Sequence, residues 1–403
     1  MAGRGVILAG LTAALLATPL AAVADQATGS QGAQDTTAAS TTHVDGWNKT
    51  SEGLEYWQDG QRVCSRWVHD QGVWYYLSDE GLALTGRQTI DGSDYYFDVQ
   101  TCGMATGWAQ DPDGTWFLAD DNGALQTGWK RVGGYWYWMD PTTDAMQTGI
   151  RMIDGTPYLL TSSGSMAVGW GIDPETGRWC LADGSGELQT GWKRLGSGWY
   201  LMDSDYRMLT GLQTVDGHAY YLNPSGNMAV DWVQDASGSW YLTNGSGELL
   251  TGWRNLGGTW YWLDPTTYVM ATGVTDTGDG TYYLTDSGAM ARSTWVTHDG
   301  ADLWFSEGGE LEATLKDDVI TYADPAHSPA SGFVTLGGRT YYVDPQTGRI
   351  SRGTIEVDGT EHVLDPTTGQ AVTGWSKDDE GRWIYLDSTG ARKHGWVTSA
   401  GKW

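Results

Sequence analysis

Hydrophobic and polar positions in this chain come in short aromatic runs set between glycine-rich turns, and the pattern restarts every 18 to 22 residues. Anchored on the Gly of T-G-W or its substitute, the restarts fall at 46, 66, 86, 107, 128, 149, 169, 191, 211, 231, 252, 273, 294, 314, 332, 353, 374 and 395. A unit such as residues 128–148, GWKRVGGYWYWMDPTTDAMQT, holds a short strand, a Gly-Gly turn, an aromatic strand and a return through D-P-T-T and Met146. Turn dipeptides between aromatic runs predict a β-hairpin plus a linking turn. One such hairpin is too small to be stable alone, so each must stack on its neighbours. The predicted fold is all-β: a solenoid of stacked β-hairpins, with about three ~20-residue repeats per superhelical turn and essentially no helix.

That turn number comes from a second, longer period. The residue after successive anchors runs Trp47, Trp67, Arg87; Trp108, Trp129, Ile150; Trp170, Trp192, Leu212; Trp232, Trp253, Val274. Every third unit also loses the aromatic that opens its second strand, carrying Asp94, Pro157, Ala219 or Thr281 there. Lys130/Arg131, Lys193/Arg194 and Arg254 recur in the middle members, which predicts a narrow basic band.

The rule weakens along the chain and defines its divisions. Residues 46–313 form the regular repeats. Residues 314–373 are degenerate, with no Trp after the anchors. Residues 374–403 resume the pattern and stop midway through a hairpin at GWVTSAGKW, as a naturally short product or a piece of a longer one would. Residues 1–24 read as a secretory signal, with Arg4, an apolar run from Val6 to Leu20 and Ala22-Val23-Ala24. Residues 25–45 are a Ser/Thr/Ala-rich flexible linker. The chain is therefore expected to be secreted and to end at the cell surface or in the cell wall.

Composition narrows the partners. The chain has 24 Trp and 21 Tyr against 4 Phe, a choice that favours rings with a polar edge over plain hydrophobic bulk. With 23 basic and 50 acidic residues the net charge is -27, which repels phosphate backbones and excludes nucleic acid. Three cysteines are too few for a disulfide scaffold; Cys180 stands where sister units have an aromatic, and Cys64 and Cys102 are either a pair or two thiols.

The candidate site residues are the paired tryptophans. Trp67/Trp74, Trp108/Trp116, Trp129/Trp136, Trp170/Trp179, Trp192/Trp199, Trp232/Trp240, Trp253/Trp260 and Trp375/Trp383 lie seven to nine residues apart. That spacing runs out along one strand and back along the other, which predicts two rings face to face across a hairpin. A third wall is expected from the next unit, supplied by Tyr95, Tyr137, Tyr158, Tyr200, Tyr220, Tyr261 or Tyr282. Three rings around a small space hold a quaternary ammonium through their negative π faces. The competing reading makes the rings inter-hairpin core, with Trp138 and Trp262 leaning that way.

The motif T-G-W-x(n)-G-x-W-Y-Y/W-L-D-P-x-x-G-x-M-x-T-G closely resembles the cell-wall-binding repeats of choline-binding proteins, and less closely the glucan-binding repeats of glucansucrases and large repeat toxins. The resemblance covers residues 46–403. It implies a left-handed superhelix that binds choline between successive hairpins, through two rings of one unit and an aromatic and a Met of the next. Met146, Met208 and Met270 fall on the Met position. Every third unit departs from the pattern, and 314–373 carries no site.

The sequence thus predicts a non-catalytic attachment protein whose partner is a choline-bearing or glucan-type cell-wall polymer. A glucan stacking on the same rings and a purely structural surface adhesin are the alternatives. The seven histidines are scattered without metal spacing, and neither G-x-S-x-G nor a catalytic Cys motif occurs. No cofactor or metal is expected, and D-P-D-G and D-D-N-G read as turns. Relatives of such modules often carry a hydrolase domain, for which these repeats leave no room.

Overall fold

The computed structural model describes residues 43–327 and 330–394. The expected signal segment, nearly all of the linker and the last half-hairpin lie outside the described residues. Those described contain strands and turns and no helix, and they divide into two compact units.

The first unit holds the chain up to Asp111, together with Asp121–Ala124. It opens with a three-stranded sheet of Gly46–Lys49, Leu54–Gln58 and Gln61–Arg62. Two hairpins follow, Arg66–Asp70 with Val73–Leu77 and Gly86–Ile90 with Ser93–Phe97. The second unit holds Pro112–Asp120 and the chain from Leu125 onward. It contains a row of antiparallel hairpins that open at Gly128, Gly149, Gly169, Gly191, Gly211, Trp232, Gly252 and Gly273.

The turns explain why these sequences form hairpins. In Gly133-Gly134 both residues have positive φ (58° and 91°), as do Asp154-Gly155 (50° and 80°). Positive φ at both central positions is the type I′ geometry whose twist matches that of paired strands. The D-P-T-T returns are closed by their aspartate: Asp140 Oδ1 accepts hydrogen bonds from the Thr142 and Thr143 amides, each at 2.9 Å. The Thr142 amide, then that of Thr143, holds the Asp140 carboxyl below the usual carboxylate range, and the Thr267 and Thr266 amides do the same for Asp264.

The return segment joins one hairpin to the one before it. Met166, in the return after the Gly149 hairpin, bridges Leu160 of its own second strand. Its amide donates to the Trp136 carbonyl of the preceding hairpin at 2.7 Å, next to the Tyr137–Ser165 bridge. Met208 to Trp179 and Met228 to Trp199 repeat this bond at 2.7 Å. Backbone groups that a lone hairpin would leave open are thereby satisfied by the next repeat.

Every third interface is closed by apolar side chains. Between the Gly149 and Gly169 hairpins, Leu159, Ala167, Cys180, Ala182 and Leu188 form a buried cluster with Ile150 packed on it. Cys180 does stand in for an aromatic as a small hydrophobe, and burial pushes its thiol up to about 11. Between the Gly211 and Trp232 hairpins the cluster is Ala219, Tyr221, Ala229, Tyr241 and Leu249. Cys64 and Cys102 are both free thiols, the first exposed and the second half-buried.

The degenerate stretch departs from the expected unit. Thr314, expected to open a repeat, lies inside the strand Leu311–Lys316, which pairs back onto Ala301–Phe305 and forward onto Val319–Tyr322. With Thr294–His298 these make one four-stranded sheet. The segment L-E-A-T-L-K places Ala313 in the buried core, with Leu315 packed against it, so this stretch extends as a strand instead of turning. Hairpins resume at Gly332, Gly353 and Gly374.

Candidate functional site

Strand register fixes where the rings meet. In the Gly128 hairpin Trp129 stands opposite Trp138, and Trp136 stands opposite Arg131. The two predicted wall residues are therefore diagonal neighbours on one face, within reach of long side chains. The same diagonal recurs in the hairpins of Trp67, Trp192 and Trp253.

Six three-ring clusters follow from it: Trp67/Trp74/Tyr95, Trp129/Trp136/Tyr158, Trp170/Trp179/Tyr200, Trp192/Trp199/Tyr220, Trp232/Trp240/Tyr261 and Trp253/Trp260/Tyr282. The two Trp centroids lie 6.3–6.5 Å apart, with ring planes 84–90° to one another. The Tyr of the next hairpin lies 4.6–5.3 Å from the first Trp. The face-to-face expectation is corrected here. Because the residues are diagonal, the rings meet edge to face, the arrangement their quadrupoles favour. The second Trp stays open to solvent at 37–44% exposure, so it is a wall and not core.

A fourth wall comes from methionine. The Trp170/Trp179/Tyr200 cluster surrounds a cavity of about 250 Å³ lined also by Met208, Pro224 and Ser225. Met208 is held there by its amide bond to the Trp179 carbonyl and by Gly226, at φ +84°, where any Cβ would collide with the Met208 thioether. By the same amide bond Met104, Met166, Met228, Met270 and Met290 sit beside Trp74, Trp136, Trp199, Trp240 and Trp260. Sequence reasoning named only Met146, Met208 and Met270. The signal it missed is that M-x-T-G and M-A are the same return position in alternate spellings.

Trp108 lies on Gly107–Gln110 in the first unit, while Trp116 and Tyr137 lie on Trp116–Ala119 and Tyr135–Met139 in the second. In the Gly374 hairpin Trp375 packs edge-on against Tyr385 at 5.3 Å. Trp383 has the Lys377 ammonium 5.1 Å from its ring centre, so this Trp ring is faced by the chain's own cation. Trp138 and Trp262 are half-buried and pack on Trp129 and Trp253 at 5.4 and 5.3 Å.

Tandem hairpins whose interfaces hold open clusters of rings and methionine define a repeat-built module. The family model of the choline-binding repeat matches residues 209–251, and that of the cell wall binding repeat matches 65–83, 106–125, 127–142, 190–205, 251–266 and 373–391. Over these segments the chain is similar to choline-binding-type cell wall binding repeats. Similar solved structures include CbpJ from Streptococcus pneumoniae TIGR4, 29% identical, covering 61% of this chain and 99% of that one, with a TM-score of 0.45. Choline binding protein F from Streptococcus pneumoniae is 28% identical, with coverage of 61% and 98% and a TM-score of 0.47. Glucosyltransferase-S from Streptococcus mutans serotype c is 44% identical over 55 residues, 13% of this chain; the match spans 4% of that protein's length.

Proposed function

We propose that this chain holds itself to a cell envelope, without catalysis, by binding choline-type quaternary ammonium groups of a wall polymer in the ring-and-methionine clusters. The observation that carries the reading is the cavity of about 250 Å³ among Trp170, Trp179, Tyr200 and Met208. It is smaller than the ~300–1,000 Å³ of pockets for drug-sized ligands, and suits a compact head group. Cation–π attraction supplies roughly 0.5–2 kcal/mol per ring contact. The net charge of -27 draws cations towards the chain. Weak clusters repeated along one chain gain avidity on a polymer that presents many head groups.

A glucan reading is favoured by one finding, the 55-residue likeness to glucosyltransferase-S. Tryptophan-fluorescence titration of residues 45–403 with choline chloride, tetramethylammonium and a soluble α-glucan separates the two. Saturable changes with both cations and none with glucan are expected. A response to glucan alone would turn the clusters into sugar platforms, and silence from all three would leave a structural adhesin.

A further inference from the structure

The Thr294 hairpin keeps two indoles but has an acid where the open clusters have their outer wall. Trp295 stands opposite Trp304, as Trp129 stands opposite Trp138, and the two ring centres lie 5.6 Å apart. At the place of the second cluster Trp this hairpin carries Asp302, opposite Thr297, whose hydroxyl donates to the carboxylate at 2.6 Å. The space over Trp295 is taken by Arg339 of the Gly332 hairpin, with its guanidinium carbon 4.6 Å from the ring centre. The same guanidinium lies 3.6 Å from the Asp302 carboxylate.

The rest of the Gly332 hairpin is seated on the same rings. Gly337, at φ +56° in its turn, lies so close that a Cβ would fall 2.3 Å from Trp304 and 2.6 Å from the Trp295 Nε1. That Nε1 is buried and has no hydrogen-bond partner among the described residues, a cost that the packing around it must offset. Leu336, Tyr341 and Val343 of the hairpin join Ala313 in one buried cluster, with Trp295 packed on it. The backbone thread of this repeat runs to a nearer point: the Ile350 amide donates to the Asp318 carbonyl, in the turn before Val319–Tyr322. The side chains reach further back, to the hairpin that opens at Thr294.

An exposed ion pair alone contributes little, and both partners here are about a third exposed. A guanidinium on an indole adds the attraction of the ring's π face, and arginine suits such stacking because it is planar and weakly hydrated. We infer that Trp295 and Asp302 form a receptor for the chain's own Arg339, a clasp that docks the Gly332 hairpin onto the Thr294 sheet where the repeat between them has become strand. The cation is supplied by the chain itself, so this ring pair is an internal joint and not an open cluster. Lys377, directly across from Trp383 and 5.1 Å from its ring centre, repeats the arrangement within one hairpin. The clasp stands on charge and ring geometry alone, whatever the open clusters bind.

Hydrogen exchange of the full chain, read at residues 332–343 with the Gly128 hairpin as reference, tests the clasp. In Arg339→Ala the amides of 332–343 are expected to exchange about ten-fold faster, while those of the Gly128 hairpin are unchanged. Millimolar ethylguanidinium restores slow exchange, and ethylurea, of similar shape without the charge, does not. Arg339→Gln keeps most of the aliphatic stem and shows the same loss; Arg339→Lys keeps the charge and loses less. Unchanged exchange in Arg339→Ala, or equal rescue by the two compounds, would overturn the clasp and leave Arg339 an ordinary surface side chain. An equal rise in the Gly128 hairpin would overturn it too, because the effect would then belong to the whole fold.

Discussion

The interface between the Gly169 and Gly191 hairpins and the one just before it, between Gly149 and Gly169, use the same positions for opposite ends. In the later interface Trp170, Trp179, Tyr200 and Met208 surround an open cavity. In the earlier one those positions are Ile150, Pro157, Cys180 and Leu188, and Cys180 and Leu188 are buried in an apolar cluster. The backbone thread is shared: Met208 donates to the Trp179 carbonyl at 2.7 Å and Leu188 to the Pro157 carbonyl at 2.9 Å. Four side chains therefore distinguish an open interface from a filled one. On the proposed function, stability and binding are assigned to alternating stretches of one chain and need not trade against each other.

The strongest break of this comparison removes sites and spares core. Replacing Trp136, Trp179, Trp199 and Trp240 together by Ala is expected to release the protein from a choline-bearing resin, with avidity falling by about 10²–10⁴. Any one of these changes alone barely alters retention, and circular dichroism of the four-fold variant stays that of the parent. The converse change, Leu159→Ala at a fully buried position, costs about 2–5 kcal/mol in denaturant unfolding and leaves the choline titration unaltered.

Much of this division was legible in the sequence. Glycine turns and Trp spacing act over a few residues, so the hairpins, the Trp pairs and the Tyr of the next unit followed from local pattern. So did the absence of a Trp pair from every third unit. The perpendicular ring geometry was not legible, because it depends on register: a two-residue shift would make the diagonal pair directly opposed, and a one-residue shift would put the two rings on opposite faces. The full methionine set was missed because each belongs to the cluster of the hairpin before its own return, a relation set by backbone pairing across repeats. The strand Leu311–Lys316 was hidden because the ~20-residue spacing continued through a segment that no longer turns.

A subtler probe is Gly226→Ala. Gly226 has φ +84° and lies against Met208. The change costs about 1–2 kcal/mol for a left-handed non-glycine residue and displaces Met208, so one choline site weakens while the others persist. Calorimetric site counting detects it. The smallest effect is that of acid. Asp140 and Asp264 are depressed by threonine amides, so the stability they contribute is present above the unfolded carboxylate value near ~3.9 and is lost as pH falls through their lower folded values. The unfolding midpoint is expected to be flat from neutral pH to about 5 and to decline below ~4, equally for chains with and without cages.

The borrowed methionine has a consequence for how the molecule comes into being. The Trp199 carbonyl waits for the Met228 amide and Trp192 waits for Tyr220, both from the following repeat. A repeat emerging during synthesis or export thus cannot finish its own site until roughly twenty more residues have followed it. Sites mature one behind the other, in the order of translation, and the newest repeat is always the unfinished one.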